Sequence, residues 1–394
     1  MPVIGWIFAV WSTYAFHMTA AGRLDRLGHI KGHDFVHFYM IGEIGVDRAS
    51  KDLYEGEAHW VRTDRLVPEY EVRYMPIHPP QVAMFFAPLA KPPYLVALTI
   101  WLIGSTGVYV LCCALVWSSL PNLRQYRGIV AMSAAALPAF YSLIAAGQTS
   151  AFALLWFTLG YLFLRSERPW LAGACLGMLV YKPTLVLVFP FVFVFNRQWR
   201  VLFGASVAAL AQFAIAGAYF GWPTLVEWVR ALFTGISAID QLESQPWQMH
   251  SLRALFANSV PWPSVAAALQ ITTSLWAVTF AVRTWKSSES LAVRYAVFLL
   301  ATVLVSPHVY TYELVVLVPA YLQVVSMAVE RRADSRQLWA ALYAAVYLPG
   351  LSLIAAASYV QWSVLAMLWL MLLLGKPSLF GRAPALAPEP QERT

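Results

Sequence analysis

The sequence predicts an all-α, polytopic membrane protein: a bundle of about twelve transmembrane helices with an outer loop that carries amphipathic helices. Three observations predict it. Of the 394 residues, 60% are hydrophobic and only 12% are charged, about half the charge of an ordinary soluble chain. The mean hydropathy is +0.60, and the apolar residues come in long runs rather than at helical spacing between polar faces. The 27 Lys and Arg, which leave a net charge of +7, sit in short clusters between those runs. That is the pattern of cytoplasmic membrane loops, and it excludes a nucleic-acid-binding face.

Residues 2–21 form the first span. Ala20-Ala21-Gly22 also offers a signal-peptide cleavage site, but no Lys or Arg precedes the run, which favours a retained helix. Residues 22–80 are the largest polar segment and hold ten of the 20 acidic residues. Within that segment Phe35, Phe38, Tyr39, Ile41, Gly45 and Val46 suit a helix lying at the interface. Further spans are expected at 94–118, 128–144, 150–165, 170–181, 183–196, 201–220, 263–283, 291–307, 309–329, 338–357 and 359–375. Arg124/Arg127, Arg165/Arg168, Arg197/Arg200, Arg283/Lys286/Arg294, Arg331/Arg332/Arg336 and Lys376/Arg382 then share one side, with both termini inside.

The pieces 170–181 and 183–196 are too short to cross about 30 Å of hydrocarbon. They read as a hairpin turning within the bilayer at Lys182-Pro183. The outer side collects loops 22–80 and 221–262 and the turns near Gly147, His308 and Ser358. Residues 1–376 thus form one integral membrane domain, and the Pro-rich 377–394 is expected to be a disordered cytoplasmic tail. Cys112, Cys113 and Cys175 lie inside apolar runs and read as packing residues. No His, Cys, Asp and Glu spacing suits a metal, and neither metal nor cofactor is expected.

Polar groups at membrane depth are costly and therefore informative. Five such features fall on the outer half: Asp34; the aromatic–proline element 74–80, with Tyr74 and His78; Gly147-Gln148; Lys182-Pro183; and Ser306-Pro307-His308 with Tyr310, Tyr312 and Glu313. Asp34 could accept a proton from a hydroxyl approaching from the aqueous side, or cap the following helix. Lys182 could bind an anion such as a lipid phosphate, snorkel, or pair with Glu313. His308 could donate to a phosphate oxygen, orient a carboxylate, or pack. Gln148 could meet a sugar hydroxyl or tie its turn to a neighbouring helix. Pro79-Pro80 reads as architecture, starting a short helix over 81–90.

The stretches DFVHFYMIG (34–42), DLYEG (52–56), FAPLAKPPYLVALTIW (86–101), AAGQTSAFALL (145–155), LAGACLGMLVYKPTLVLVFP (171–190) and SPHVYTYELVVLVPA (306–320) occur in this order over nearly the whole chain. Together with the Pro-Pro element, they resemble glycosyltransferase family 87, polytopic enzymes of GT-C architecture that include polyprenyl-phosphate-mannose-dependent α-mannosyltransferases. The resemblance implies a polyprenyl-phosphate-linked sugar donor, most simply carrying mannose, and a lipid or glycan acceptor entering from the outer face of a bacterial inner membrane. It implies Asp34 as the general base of an inverting transfer, and Lys182 and His308 as holders of the leaving phosphate. Gln148, Tyr74, His78, Tyr312 and Glu313 are then sugar- or acceptor-binding candidates. Two departures bear on the sugar rather than on the reaction class: Glu313 stands where Asp is commoner, and Met75 with His78 lengthens the aromatic–proline element.

A secondary transporter and a non-catalytic lipid- or glycolipid-binding protein are the rival classes. Against a transporter, no second Lys-Pro hairpin stands in a corresponding half, and the polar groups gather on one side only.

Overall fold

The computed structural model describes residues 2–69, 73–237, 246–287, 290–330 and 335–375. The proposed tail at 377–394 and the basic pair Arg331/Arg332 lie outside the described residues. Among those described there are helices and connecting turns but no strand, only two isolated bridges, Leu24–Ile30 and Met249–Tyr310.

The helices follow the apolar runs. They are α1 (Pro2–Met18), α2 (His33–Asp47), α3 (Gly56–Leu66), α4 (Pro80–Phe86), α5 (Tyr94–Ser118), α6 (Arg127–Ala135), α7 (Pro138–Ala146), α8 (Ser150–Arg165), α9 (Pro169–Gly177), α10 (Phe189–Phe195) and α11 (Trp199–Phe220). After them come α12 (Pro223–Ser237), α13 (Leu252–Ser259), α14 (Pro263–Lys286), α15 (Leu291–Val305), α16 (Val318–Glu330), α17 (Arg336–Tyr347), α18 (Ser352–Ser358) and α19 (Trp362–Leu374). Two expected spans, 94–118 and 150–165, coincide with α5 and α8.

Five helical stretches are long and apolar enough to cross a membrane: α5, α11, α14, residues 311–330 and residues 336–358. A sixth is added if 121–146, bent by 47° at its break, is one span. Pro138 explains that bend, because it opens α7 and has no N–H for the preceding turn. Large apolar side chains point outward along these helices, such as Ile103 at 69% exposed, Leu210 at 66% and Leu275 at 64%. A surface of that kind is stable in hydrocarbon and costly in water.

The interior is built mainly from α7, α8, α15 and the 311–330 segment, with Phe157, Tyr295, Phe298 and Val316 fully buried. A second apolar cluster joins α2, α4 and the start of α5: Phe35, Phe38, Phe86, Tyr94 and Trp101 pack ring on ring. This cluster positions α2, whose first turn carries Asp34. The closest helix pair is α9 against α11, where a Cβ on Gly173 would come within 2.0 Å of the Val201 carbonyl oxygen. Small residues permit that approach, as is common between helices in lipid. It anchors the chain before the break at Lys182.

The helix breaks at Lys182, where the two short runs meet. Helix α9 gives way to a 3-10 turn at Met178–Tyr181, a second follows at Pro183–Val186, and Lys182 lies between them outside helical geometry. Irregular backbone in an apolar setting needs protein around it, and Leu179, Leu185, Val188 and Val192 are all buried.

Candidate functional site

Gly147 ends α7 with φ of +71°, a left-handed conformation open to glycine at little cost. A side chain there would meet Phe35 Cβ at 2.7 Å. The tight turn puts Gln148 directly against the first turn of α2. Gln148 Nε2 donates to Asp34 Oδ2 at 2.8 Å, while the Thr149 N–H donates to Gln148 Oε1 at 3.0 Å and so orients the carboxamide. Trp101 Nε1 braces the turn by donating to the Gly147 carbonyl.

Asp34 is the second residue of α2, and Gly32 occupies the cap position. The capping reading is therefore not the geometry adopted. The carboxylate stands 21% exposed and 3.8 Å from His33 Nε2, which is itself open to solvent. Gln148 donates to Oδ2, and the Tyr312 side chain is hydrogen-bonded to the same carboxylate. A carboxylate in the first helical turn is also favoured by the peptide dipoles.

On the other side of the turn, Lys182 Nζ donates to Ser150 Oγ at 2.8 Å and to Glu313 Oε1 at 3.2 Å. Both ion-pair partners are buried, Lys182 at 7% and Glu313 at 4% exposed. The sequence left three readings of Lys182 open, and the pair with Glu313 is the one that forms. Both oxygens of Glu313 are engaged, since its Oε2 accepts the Tyr310 N–H at 3.0 Å in a capping arrangement. An ammonium has three N–H donors; two are occupied, and the third is not used by the described residues.

Tyr312 lies with its ring 5.6 Å from Lys182 Nζ, stacks on Tyr310, and feels the charge of Asp34. His308 sits 5.0 Å from the Tyr310 ring, and the Glu313, Lys182, Arg253 and Asp34 charges all reach it. Burial pulls its imidazole below the ordinary value, against Glu313, which raises it. Arg253, which the sequence reading passed over, donates to the carbonyl of Pro307 at 2.9 Å and sets the loop before His308.

The aromatic–proline element lies beside these groups. The Tyr74 hydroxyl donates to the His33 carbonyl next to Asp34, and the Tyr54 hydroxyl donates to the His78 carbonyl at 3.1 Å. The ring of His78 is 5.1 Å from His37, which lies 6.0 Å from His59 and 4.9 Å from Tyr74. The sequence reading missed this histidine group, and it missed Ser150. No spacing rule links residues 37, 59 and 78, and a lone Ser in an apolar run carries no signal. Among the described residues no His, Cys, Asp and Glu group could hold a metal.

Burial, followed by the charges of Lys182, His59 and His308, pushes His78 down to about 3. His37 and His59 are lowered mainly by burial as well. These imidazoles are neutral in the folded protein, whereas in the unfolded chain they take up protons near pH 6.5. The unfolded state thus binds more protons below that value. Stability is full above about pH 6.5 and falls as the pH drops towards 3. The melting temperature of detergent-solubilised protein should decline from pH 7 to pH 5, and His78→Asn should flatten the decline. A melting temperature independent of pH across that window would contradict the assignment.

Behind the Gly147–Ser150 turn lies a cavity of about 360 Å³ between α4, α5, α8, the 178–181 turn and α11. Phe85, Phe86, Trp101, Phe152 and Trp156 give it an apolar, aromatic wall, and Thr149 and Tyr181 mark its end nearest Lys182. The four residues 147–150 thus touch the carboxylate, the ammonium and the cavity at once.

The family model described as "Glycosyltransferase family 87" matches residues 77–307. No match was found among curated proteins or among solved structures.

Proposed function

The chain belongs to glycosyltransferase family 87, and we propose that it moves a sugar, most simply mannose, from a polyprenyl-phosphate donor to a lipid or glycan acceptor at the outer face of a bacterial inner membrane. The observation that carries this reading is the single turn 147–150, which holds a partly exposed carboxylate on one side and a buried cation on the other, and borders an apolar cavity. The cavity suits the lipid end of the donor, and the remaining N–H of Lys182 suits its phosphate.

In this reaction Asp34 takes the proton from the acceptor hydroxyl. The oxygen attacks the anomeric carbon from the side opposite the phosphate, the carbon–oxygen bond to the phosphate breaks, and the configuration inverts. Lys182 and His308 hold the phosphate as its charge develops, in surroundings where a fixed donor is worth more than in water. Gln148 and Tyr74 act on the first turn of α2 and position Asp34. Glu313 keeps Lys182 aimed, while Tyr312 and His78 border the space left for sugar and acceptor.

We read residues 1–376 as one membrane domain, with the shorter apolar helices and broken pairs bringing the span count to about twelve. The broken pair around Lys182 serves as a hairpin in this count. Loops 22–80 and 221–262 then lie on the outer side, with the carboxylate. Glu57→Cys should react with an impermeant maleimide from outside the cell, and Arg168→Cys only after the membrane is opened. Labelling of both from the same side would overturn the arrangement.

The reaction itself is tested by reconstituting the pure protein with polyprenyl-phosphate mannose and measuring released polyprenyl phosphate. Release that depends on added acceptor supports the transfer. A reconstituted protein that moves labelled donor or acceptor across the bilayer and releases no polyprenyl phosphate would be a transporter instead.

A further inference from the structure

We propose that Gln81 binds hydroxyl groups of the donor's sugar; this deepens the donor reading above and rests on it. Gln81 is the second residue of α4 and lines the 360 Å³ cavity. Its Nε2 and Oε1 are both buried and have no hydrogen-bond partner among the described residues. Two other polar groups on the same wall are engaged. Gln212 donates to the carbonyls of Gly177 and Ala208, and the Tyr181 hydroxyl donates to the Thr149 carbonyl.

A buried carboxamide with neither end paired is costly, so it marks a place where a ligand completes the bonding. The unpaired atoms also restrict the chemistry of that ligand. An isoprenoid chain has no hydrogen-bonding group. An ionised phosphate only accepts, so it satisfies Nε2 and leaves Oε1 unpaired. A hydroxyl both donates and accepts, and two neighbouring hydroxyls on a sugar ring satisfy both ends of the carboxamide.

The position agrees with the chemistry. Thr149, on the same cavity wall, precedes the Ser150 that holds Lys182 Nζ. His78, three residues before Gln81, feels the charge of Lys182. Gln81 therefore stands at the end of the cavity that approaches the cation proposed to hold the phosphate, where a sugar on that phosphate, folded back beside it, meets the carboxamide.

The test is equilibrium binding to the full-length protein in lipid nanodiscs, with two ligands: polyprenyl-phosphate mannose and polyprenyl phosphate without sugar. Gln81→Met keeps length and removes both polar atoms. It should weaken the mannose donor about ten-fold or more, leave polyprenyl phosphate within about two-fold, and leave the melting temperature equal or higher. Gln81→Asn, which keeps the carboxamide on a shorter stem, should lie between Gln81→Met and the unsubstituted protein. Unchanged donor affinity in Gln81→Met overturns the proposal, as does equal weakening of both ligands, which would place Gln81 on phosphate or lipid. Because binding is read without turnover, an unsubstituted protein that binds donor but releases no polyprenyl phosphate would refute transfer while still deciding the role of Gln81. Failure of the unsubstituted protein to bind the donor at all would overturn both.

Discussion

Asp34→Asn is expected to lower turnover by about 10²-fold or more while the protein folds and still binds donor. Asn has the size of Asp and keeps a carbonyl that can accept from Gln148 Nε2, as Asp34 Oδ2 does at 2.8 Å. What it loses is the capacity to take a proton. Gly32, not Asp34, caps α2, so the exchange removes no cap, and the folding cost is confined to weaker bonds with Gln148 and Tyr312. The comparison variant is Gln148→Leu, which leaves the base but frees its orientation. It should reduce kcat less than Asp34→Asn and leave donor affinity nearly intact. Steady-state kinetics with reconstituted protein separate these outcomes. An Asn variant with near-normal kcat would remove Asp34 from the chemistry.

The second large effect concerns the buried pair. Removing one member of a buried ion pair leaves an unpaired charge and costs about 3–5 kcal/mol, whereas replacing both members by neutral groups of similar volume is often neutral or stabilising. Lys182→Met and Glu313→Gln should therefore each lower the melting temperature, because Lys182 and Glu313 are both nearly inaccessible and 3.2 Å apart. The double variant should recover much of that stability. If Lys182 serves only the fold, the double variant recovers donor use along with stability. If Lys182 holds the phosphate, stability returns and donor affinity does not. Lys182→Arg should recover activity in part at best, since a planar guanidinium delivers its charge with a different geometry. His308→Ala joined to Lys182→Met should deviate from additivity in donor affinity, as two contacts to one phosphate would. Stability losses alone, with donor affinity unchanged throughout, would leave the pair as architecture.

Much of the molecule was legible before its structure. Two helices, Tyr94–Ser118 and Ser150–Arg165, fall where the apolar runs begin and end. In hydrocarbon a backbone must satisfy its own hydrogen bonds within the segment, so an apolar run leaves helix as almost the only choice. The break at Lys182 was legible for the same reason, as two runs too short to span flanking a Lys-Pro. The ordered motifs were sufficient to indicate the family.

The partnerships were not legible. Gln148 reaches Asp34 across 114 residues and Lys182 reaches Glu313 across 131. Ser150 becomes a ligand of Lys182 only because Gly147 turns the chain between α7 and α8. Nor could the sequence tell that α2 is capped by Gly32, which frees Asp34 for Gln148, or that His37, His59 and His78 assemble into one group. Hydropathy and periodicity are local properties, carried by neighbours within a few turns of helix. Which buried charge meets which, and which polar atom is left without a partner beside a cavity, depends on helices packing at close range, and only the tertiary structure decides that.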